Sequence, residues 1–367
     1  MEVEQAMRQI IEQFDCFGNI EECIPYGEGH INNTYRVICR KDGEVKRYIL
    51  QSINGNVFKE PEKVMENIVN VTVWLKNKIQ ENGGDPERET LNLINTREGK
   101  SHYIDGNGTC WRMYYFIRDA VSFEQVKNVN DFYQSAVAFG HFQRLLADYP
   151  AETLHETIAD FHNTRDRFLK FKEVLEKDPL GRAAGVQEEI QFVLDREELA
   201  GALCRLQEEG KLPLRVTHND TKLNNVMFDK ETGEPICIVD LDTVMPGLSV
   251  NDFGDSIRFG ASTALEDEKD LSKVSCDLEL YEAYVKGFIE GCEGALTEAE
   301  LDNLPLGAIM MTFECGMRFL TDHLDGDHYF KIHREGHNLD RCRTQFKLVK
   351  DMEEKMDQMK AIVDKYR

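Results

Sequence analysis

One run of ten residues constrains this chain more than any other. Val216-Thr-His-Asn-Asp-Thr-Lys-Leu-Asn-Asn225 reads as His-x-Asp-x-x-x-x-Asn. After the turn-rich Lys230-Glu-Thr-Gly-Glu-Pro235 comes the apolar run Ile238-Val-Asp-Leu-Asp242, which places another carboxylate at the end of a strand-like segment. Magnesium is a hard cation that prefers carboxylate and carbonyl oxygens. A reaction that moves a phosphoryl group onto a hydroxyl needs such ligands, and a further carboxylate facing the hydroxyl, because the metal-bound ones are occupied. Asp220 is the candidate for that free carboxylate, and Asn225 and Asp240 are the candidates for the metal. A single Asp in a loop is ordinarily a solvated turn residue. Three such groups in this order, with a turn between two apolar runs, point to phosphoryl transfer from a magnesium nucleotide.

The chain has 367 residues, enough for two lobes. Its 41% hydrophobic and 30% charged content is that of an ordinary globular protein. A formal net charge of -23 argues against nucleic-acid or anionic-membrane partners, which attract Lys- and Arg-rich surfaces. It leaves room for ATP, since a small basic pocket can sit in an acidic surface. The acidic start Met1-Glu-Val-Glu-Gln5 lacks the apolar core of a signal peptide, and no run reaches the length of a membrane span. The ten cysteines form no C-x-x-C pair and read as reduced thiols in a cytoplasmic protein.

Along the chain, Val3, Met7, Ile10, Ile11 and Phe14 fall on one face of a helix over residues 3–14. Tyr26-Gly-Glu-Gly-His-Ile-Asn-Asn-Thr-Tyr35 is a glycine-containing loop entering a strand. Residues 35–39 and 45–51 flank Asp42-Gly43, a hairpin turn signal. Val64, Ile68, Val71, Leu75 and Ile79 predict a helix that begins near Pro61. A strand pair follows around residues 105–108 and 111–117. From Ser122 onward the pattern is mainly helical: Phe139, Phe142, Leu145 and Leu146 mark one helix, Thr297-Glu-Ala-Glu300 is a capping box, and residues 344–367 read as one charged amphipathic helix. The expected fold class is α+β and two-lobed, with a small N-terminal lobe (1–118) carrying an antiparallel sheet and a larger mainly helical lobe (119–367), joined near Phe116-Ile-Arg-Asp119.

Protein kinases use the same His-x-Asp-x-x-x-x-Asn and distal Asp pattern. More specifically, the chain resembles the aminoglycoside phosphotransferase and choline kinase superfamily, which has a protein-kinase-like fold. Within it, the chain is similar to the bacterial N-acetylhexosamine 1-kinases. The Asp220 motif carries only the superfamily. The narrower likeness rests on residues 26–35, 47–51, 180–184, 214–225 and 238–243, on Phe253-Gly-Asp-Ser-Ile-Arg-Phe-Gly-Ala-Ser-Thr-Ala-Leu-Glu-Asp267, and on Glu314-Cys-Gly-Met-Arg-Phe-Leu320. The resemblance implies transfer of phosphate from ATP, with magnesium, to the anomeric hydroxyl of N-acetylglucosamine or N-acetylgalactosamine. It implies Asp220 as the base, and ATP and a small-molecule sugar as partners of a monomer or weak dimer.

The same resemblance assigns Gly27, Gly29, Asn32 and Asn33 to a loop over the phosphates, although a plain tight turn would also explain the two glycines. His30 in that loop, Thr243, Phe259, Arg318 and Tyr329 are implied sugar contacts. Phe116 and Ile117 lie where a hinge would meet adenine through its backbone. Gln51 departs from the kinase pattern, which places Lys on this strand to grip phosphates. Strand alternation sends Asp242 to the same side as Asp240, as a site residue or a turn cap. Asp252 and Asp255 resemble an acidic pair that anchors the catalytic loop. Arg318 sits on an otherwise apolar helix and needs a partner, either the sugar or a buried carboxylate. Two alternatives stay open: an aminoglycoside- or choline-type kinase, which the chain's acidity favours, and a non-catalytic nucleotide-binding protein, which only Gln51 supports.

Overall fold

The computed structural model describes residues 2–27 and 31–367. The chain forms two compact units, one of residues 1–121, 153–159 and 227–245 and the other of residues 122–152, 160–226 and 246–367. The first unit therefore extends slightly past the expected cut at 118. It also recruits two later segments, so Asp240 and Asp242 pack with the N-terminal sheet instead of the helical part.

In the first unit, helix α1 (Glu2–Ile11) precedes strands β1 (Asn19–Pro25), β2 (Asn33–Lys41) and β3 (Glu44–Ser52). Helix α2 (Pro61–Glu81), β4 (Tyr103–Ile104), β5 (Cys110–Tyr115) and β6 (Ala120–Val121) follow. The main sheet is antiparallel, ordered β1-β2-β3-β5-β4. The β2–β3 hairpin forms as the sequence predicts, because Asp42 and Gly43 both take positive φ, the conformation a two-residue turn requires. Helix α2 buries Val64, Ile68, Val71, Leu75 and Ile79 at its 3–4 residue spacing, with Pro61 in its first turn. The core joins Met7, Ile11 and Phe14 to Val37, Tyr48, Leu50, Ile94, Trp111 and Met113. Two expectations change here. Helix α1 stops at Ile11, and Phe14 reaches the core from a bridge to Thr96. Strand β1, which the sequence reading did not include, forms the sheet edge. A small three-stranded sheet combines β6 with β8 (Val226–Asp229) and β9 (Pro235–Ile238).

The second unit is mainly helical. It contains α3 (Val129–Leu145), α4 (Thr164–Lys177), α5 (Gln187–Leu194), α6 (Glu197–Ala200), α7 (Ala202–Glu208), the short β7 (Arg215–Thr217) and β10 (Met245–Gly247), and α8 (Ser249–Gly260). Then come α9 (Leu278–Cys292), α10 (Glu298–Asp325), α11 (His337–Glu354) and α12 (Met356–Tyr366). The Thr297/Glu300 capping box starts α10 as predicted. The final helix is two: the chain breaks at Lys355, whose ammonium reaches Ser275 Oγ at 2.7 Å and Cys276 O at 2.8 Å. Helices α8 and α10 cross in backbone contact. A Cβ on Gly254 would strike the Gly307 carbonyl, and one on Gly307 would strike the Val250 carbonyl. All ten cysteines are free thiols, and no described helix is long and apolar enough to cross a membrane.

Candidate active site

The loop bearing Asp220 lies in the second unit between β7 and residue 226. It bends through Asn219, which takes φ +64°, a left-handed conformation that Asn tolerates better than most residues. The bend is held from α8. Asp252, 1% exposed, accepts from His218 N at 2.8 Å, Asn219 N at 2.7 Å and Gln143 Nε2 at 2.8 Å. Burial pushes the Asp252 carboxyl above the usual carboxylate range, against those three donors. Asp255 accepts from Thr221 N at 3.2 Å and is paired with Arg258 at 3.0 Å. For Asp255 burial also opposes the charge, but Arg258, Lys222 and His162 outweigh it and hold the carboxyl low. Asp252 and Asp255 thus anchor the loop, as the sequence reading expects.

The loop presents Asp220, whose side chain is 26% exposed. Asn225 Nδ2 donates to Asp220 O at 2.8 Å and to Asp220 Oδ2 at 3.3 Å, and the Asn225 Oδ1 accepts no hydrogen bond from any described residue. The other Asp220 oxygen, Oδ1, takes an ion pair from Lys222 Nζ at 2.8 Å. Burial works against the Lys222 charge, and Asp220 more than offsets it, raising the ammonium's pKa. Lys222 was missed in the sequence reading, although its position two residues after Asp220 was a sufficient signal.

On α10, Arg318 has no carboxylate within ion-pair distance among the described residues, its side-chain partner being Tyr329. Its Nη2 donates to Tyr329 Oη at 3.2 Å, and its guanidinium carbon lies 5.6, 5.5 and 5.4 Å from the ring centres of Phe161, Tyr329 and Phe330. Burial opposes the Arg318 charge, but Tyr329 and the buried Glu314 carboxylate, one turn earlier on α10, outweigh it and raise the Arg318 pKa. The charge therefore rests on an aromatic enclosure and, at longer range, on a buried carboxylate. Tyr329 is 64% exposed and Phe259, on α8, is 38% exposed.

In the first unit, Gly27 takes φ +75°. Gly29 and His30 lie outside the described residues. Asn32 Nδ2 donates to Asp242 Oδ2 at 2.6 Å and Asn32 Oδ1 accepts from Asn54 N at 2.9 Å, while Asn33 Nδ2 donates to Ser52 Oγ at 3.3 Å. Gln51 stands opposite Arg112 in the β3–β5 ladder. Its Oε1 accepts from Arg112 Nε at 3.0 Å and Nη2 at 2.9 Å, and its Nε2 donates to Thr34 Oγ1 at 3.0 Å. The same guanidinium is ion-paired through Nη1 with Asp242. Burial opposes the Arg112 charge, but Asp242 outweighs it, and the arginine stays charged inside the sheet. A cation is thus present one strand away from where kinases keep their lysine. Phe116 N donates to Arg47 O at 3.1 Å, and its ring packs edge-on to Tyr26; Ile117 is half-buried.

The expected alternation of Asp240 and Asp242 does not occur. Strand β9 ends at Ile238, Asp240 takes φ +59°, and residues 241–243 form a tight helical turn. Asp240 is exposed, whereas Asp242 and Thr243 are buried, at 3% and 8% exposure. The left-handed residue breaks the period of two on which alternation depends. Among the described residues no three His, Cys, Asp or Glu side chains form a metal cage. Magnesium is commonly held by one or two protein ligands together with phosphates and water. In the second unit, the Asn225 side-chain oxygen accepts no hydrogen bond from a described residue; in the first, Asp240 is exposed.

The antiparallel N-terminal lobe, the helical remainder and the loop bearing Asp220 define a kinase-like phosphotransferase fold. Residues 22–274 match the model of the phosphotransferase enzyme family (APH), and the chain belongs to that family. Solved structures share the fold at low identity. An aminoglycoside phosphotransferase from Alicyclobacillus acidocaldarius is 10% identical with a TM-score of 0.62, covering 98% of this chain and 96% of that one. A choline kinase from Cryptosporidium parvum is 13% identical, TM-score 0.60, covering 99% of each chain. A spectinomycin phosphotransferase solved with ADP and spectinomycin is 14% identical, TM-score 0.55, covering 97% and 98%.

Proposed function

We propose that this phosphotransferase is an ATP- and magnesium-dependent sugar 1-kinase. It would phosphorylate the anomeric hydroxyl of N-acetylglucosamine or N-acetylgalactosamine to give the sugar 1-phosphate and ADP. Asp220 accepts the hydroxyl proton as that oxygen bonds to the γ-phosphorus and the bond to the ADP oxygen breaks. Lys222 orients the carboxylate and adds positive charge beside it. Positioning and charge neutralisation account for most of the rate in such transfers. Asn225 of the second unit and Asp240 of the first are proposed as magnesium ligands. The metal, when bound, neutralises charge on the transferring phosphates. Gly27, Gly29, Asn32, Asn33 and Gln51 are proposed around the phosphates, and Phe116 and Ile117 at the base. His30, Asp242, Thr243, Phe259, Arg318 and Tyr329 are proposed on the acceptor side.

The observation that carries the acceptor class is Arg318, a guanidinium with no described carboxylate within ion-pair distance, supported by Glu314 only at longer range and flanked by the exposed Tyr329 ring. Such a group donates to hydroxyl and acetamido oxygens, and the rings cover the apolar face of a sugar. It repels a cationic acceptor. The net charge of -23 favours the second reading, an aminoglycoside- or choline-type kinase, but that charge is spread over the chain whereas Arg318 is local. The test is ADP release from magnesium-ATP against N-acetylglucosamine, N-acetylgalactosamine, glucose, galactose, kanamycin and choline. Turnover on an N-acetylhexosamine with loss of its reducing end supports the proposal. Turnover confined to kanamycin or choline overturns it.

A further inference from the structure

His162, the residue before the N-cap of α4, contacts the catalytic loop without belonging to it. Its Nδ1 lies 2.9 Å from Glu314 Oε1 and its Nε2 3.3 Å from Asn219 O. Glu314, 1% exposed on α10, accepts from Thr164 Oγ1 at 2.6 Å through its other oxygen. Both ring nitrogens therefore face groups that only accept, a carboxylate and a carbonyl. A neutral imidazole has one N–H and can satisfy one of them, whereas an imidazolium satisfies both. The charges around it agree. Burial opposes the imidazolium, but Glu314 from α10 and Asp255 from α8 outweigh it despite Arg318, and the His162 pKa is raised. Burial likewise opposes the Glu314 charge, and His162, Arg318 and Thr164 hold that carboxyl low. Arg167, from α4 itself, also faces Glu314 and Arg318, and Arg258 and Lys222 face Asp255.

The carbonyl that His162 holds belongs to the peptide joining Asn219 to Asp220, and the preceding peptide donates its N–H to Asp252. Two successive peptides before Asp220 are thus tied to different helices, α8 through Asp252 and α10 through His162. A left-handed residue such as Asn219 holds one geometry only when its surroundings over-determine it.

We propose that His162, as the imidazolium, is a positioning residue that ties the peptide carrying Asp220 to Glu314 and so sets the aim of the catalytic carboxylate. The proposal rests on Asp220 being the base. Because the histidine's folded pKa lies above its ordinary value near 6.5, the tie is complete below that value. It is lost, with its share of stability, as pH rises through the folded value.

The experiment is kcat and the KM for magnesium-ATP as a function of pH in the full chain, using the panel acceptor with the highest turnover. The variants are His162→Leu, His162→Gln, Glu314→Gln and Asp220→Asn. Wild type shows an alkaline limb in kcat. His162→Leu lowers kcat about 10- to 100-fold, the scale of a small misplacement at a reacting centre, with the KM for ATP nearly unchanged. His162→Gln, whose amide NH2 can still donate but cannot titrate, recovers part of kcat and has no alkaline limb. Glu314→Gln removes the stabilising charge and moves the limb to lower pH. An alkaline limb that persists in His162→Gln, or stays in place in Glu314→Gln, overturns the proposal. If His162→Leu does not fold, these two variants decide alone. Full turnover in Asp220→Asn would instead refute the base assignment, so the two failures are distinct.

Discussion

Replacing Arg112 by Met should destabilise the first unit far more than an ordinary surface change. The guanidinium is 1% exposed and Asp242 is 3% exposed, so neither charge has water to fall back on. With Met at this position, Asp242 keeps only the amide of Asn32, and Gln51 Oε1 loses both of its Arg112 donors. Breaking a buried ion pair from one side costs about 3–5 kcal/mol. Both tryptophans, Trp74 and Trp111, belong to the first unit, so their fluorescence in urea reports that unit's unfolding. With a urea slope of about 2 kcal/mol/M, the midpoint should fall by about 1.5–2.5 M. Adding Asp242→Asn to Arg112→Met removes the stranded charge, and the pair should show a coupling of about 2 kcal/mol, within the range for residues in direct contact. A single-variant cost below about 1 kcal/mol, or strictly additive costs, would refute the view that these two charges hold one another inside the sheet.

Asp220→Asn should cut turnover by several orders of magnitude while ATP binding, read by calorimetry, stays close to wild type. Asp240→Asn should raise the magnesium concentration needed for half-maximal rate, and an unchanged magnesium titration counts against its metal role. Asp252→Asn should leave one of the His218 and Asn219 amides without an acceptor in the second unit, at about 1–3 kcal/mol for the stranded donor. Circular dichroism melting reads that loss, and turnover should drop with it.

The parts of the molecule that were legible in the sequence are those whose causes are local. The Asp42-Gly43 turn, the stripe of α2 and the Thr297 capping box each depend on neighbours within four positions. The order of Asp220, Asn225 and Asp240 is likewise a property of one stretch. Strand β1 was not legible because it mixes half-buried and exposed residues around a bulge between Ile20 and Glu22 and ends in Pro25, as edge strands do. The separation of Asp242 from Asp240 turns on a single left-handed residue that alternation cannot foresee. The pairings of Arg112 with Gln51 and of His162 with Glu314 join residues 61 and 152 positions apart, and only the tertiary fold creates them. A charge inside Cys110-Trp-Arg-Met-Tyr-Tyr115 was nonetheless a visible anomaly, since a buried strand tolerates Arg only with a partner.

The backbone contact at Gly254 and Gly307 has a consequence for how such an enzyme can diversify. Helix α8 carries Asp252 and Asp255, which hold the loop bearing Asp220, and α10 carries Arg318, the proposed acceptor contact. Their separation is fixed at a crossing where neither glycine has a side chain to exchange. Substitutions that retune acceptor choice can therefore accumulate along the outer turns of α10 with the spacing to the reacting carboxylate intact. A methyl group added at the crossing would displace both functions together. The two glycines act as a fixed gauge between what the protein does and what it does it to.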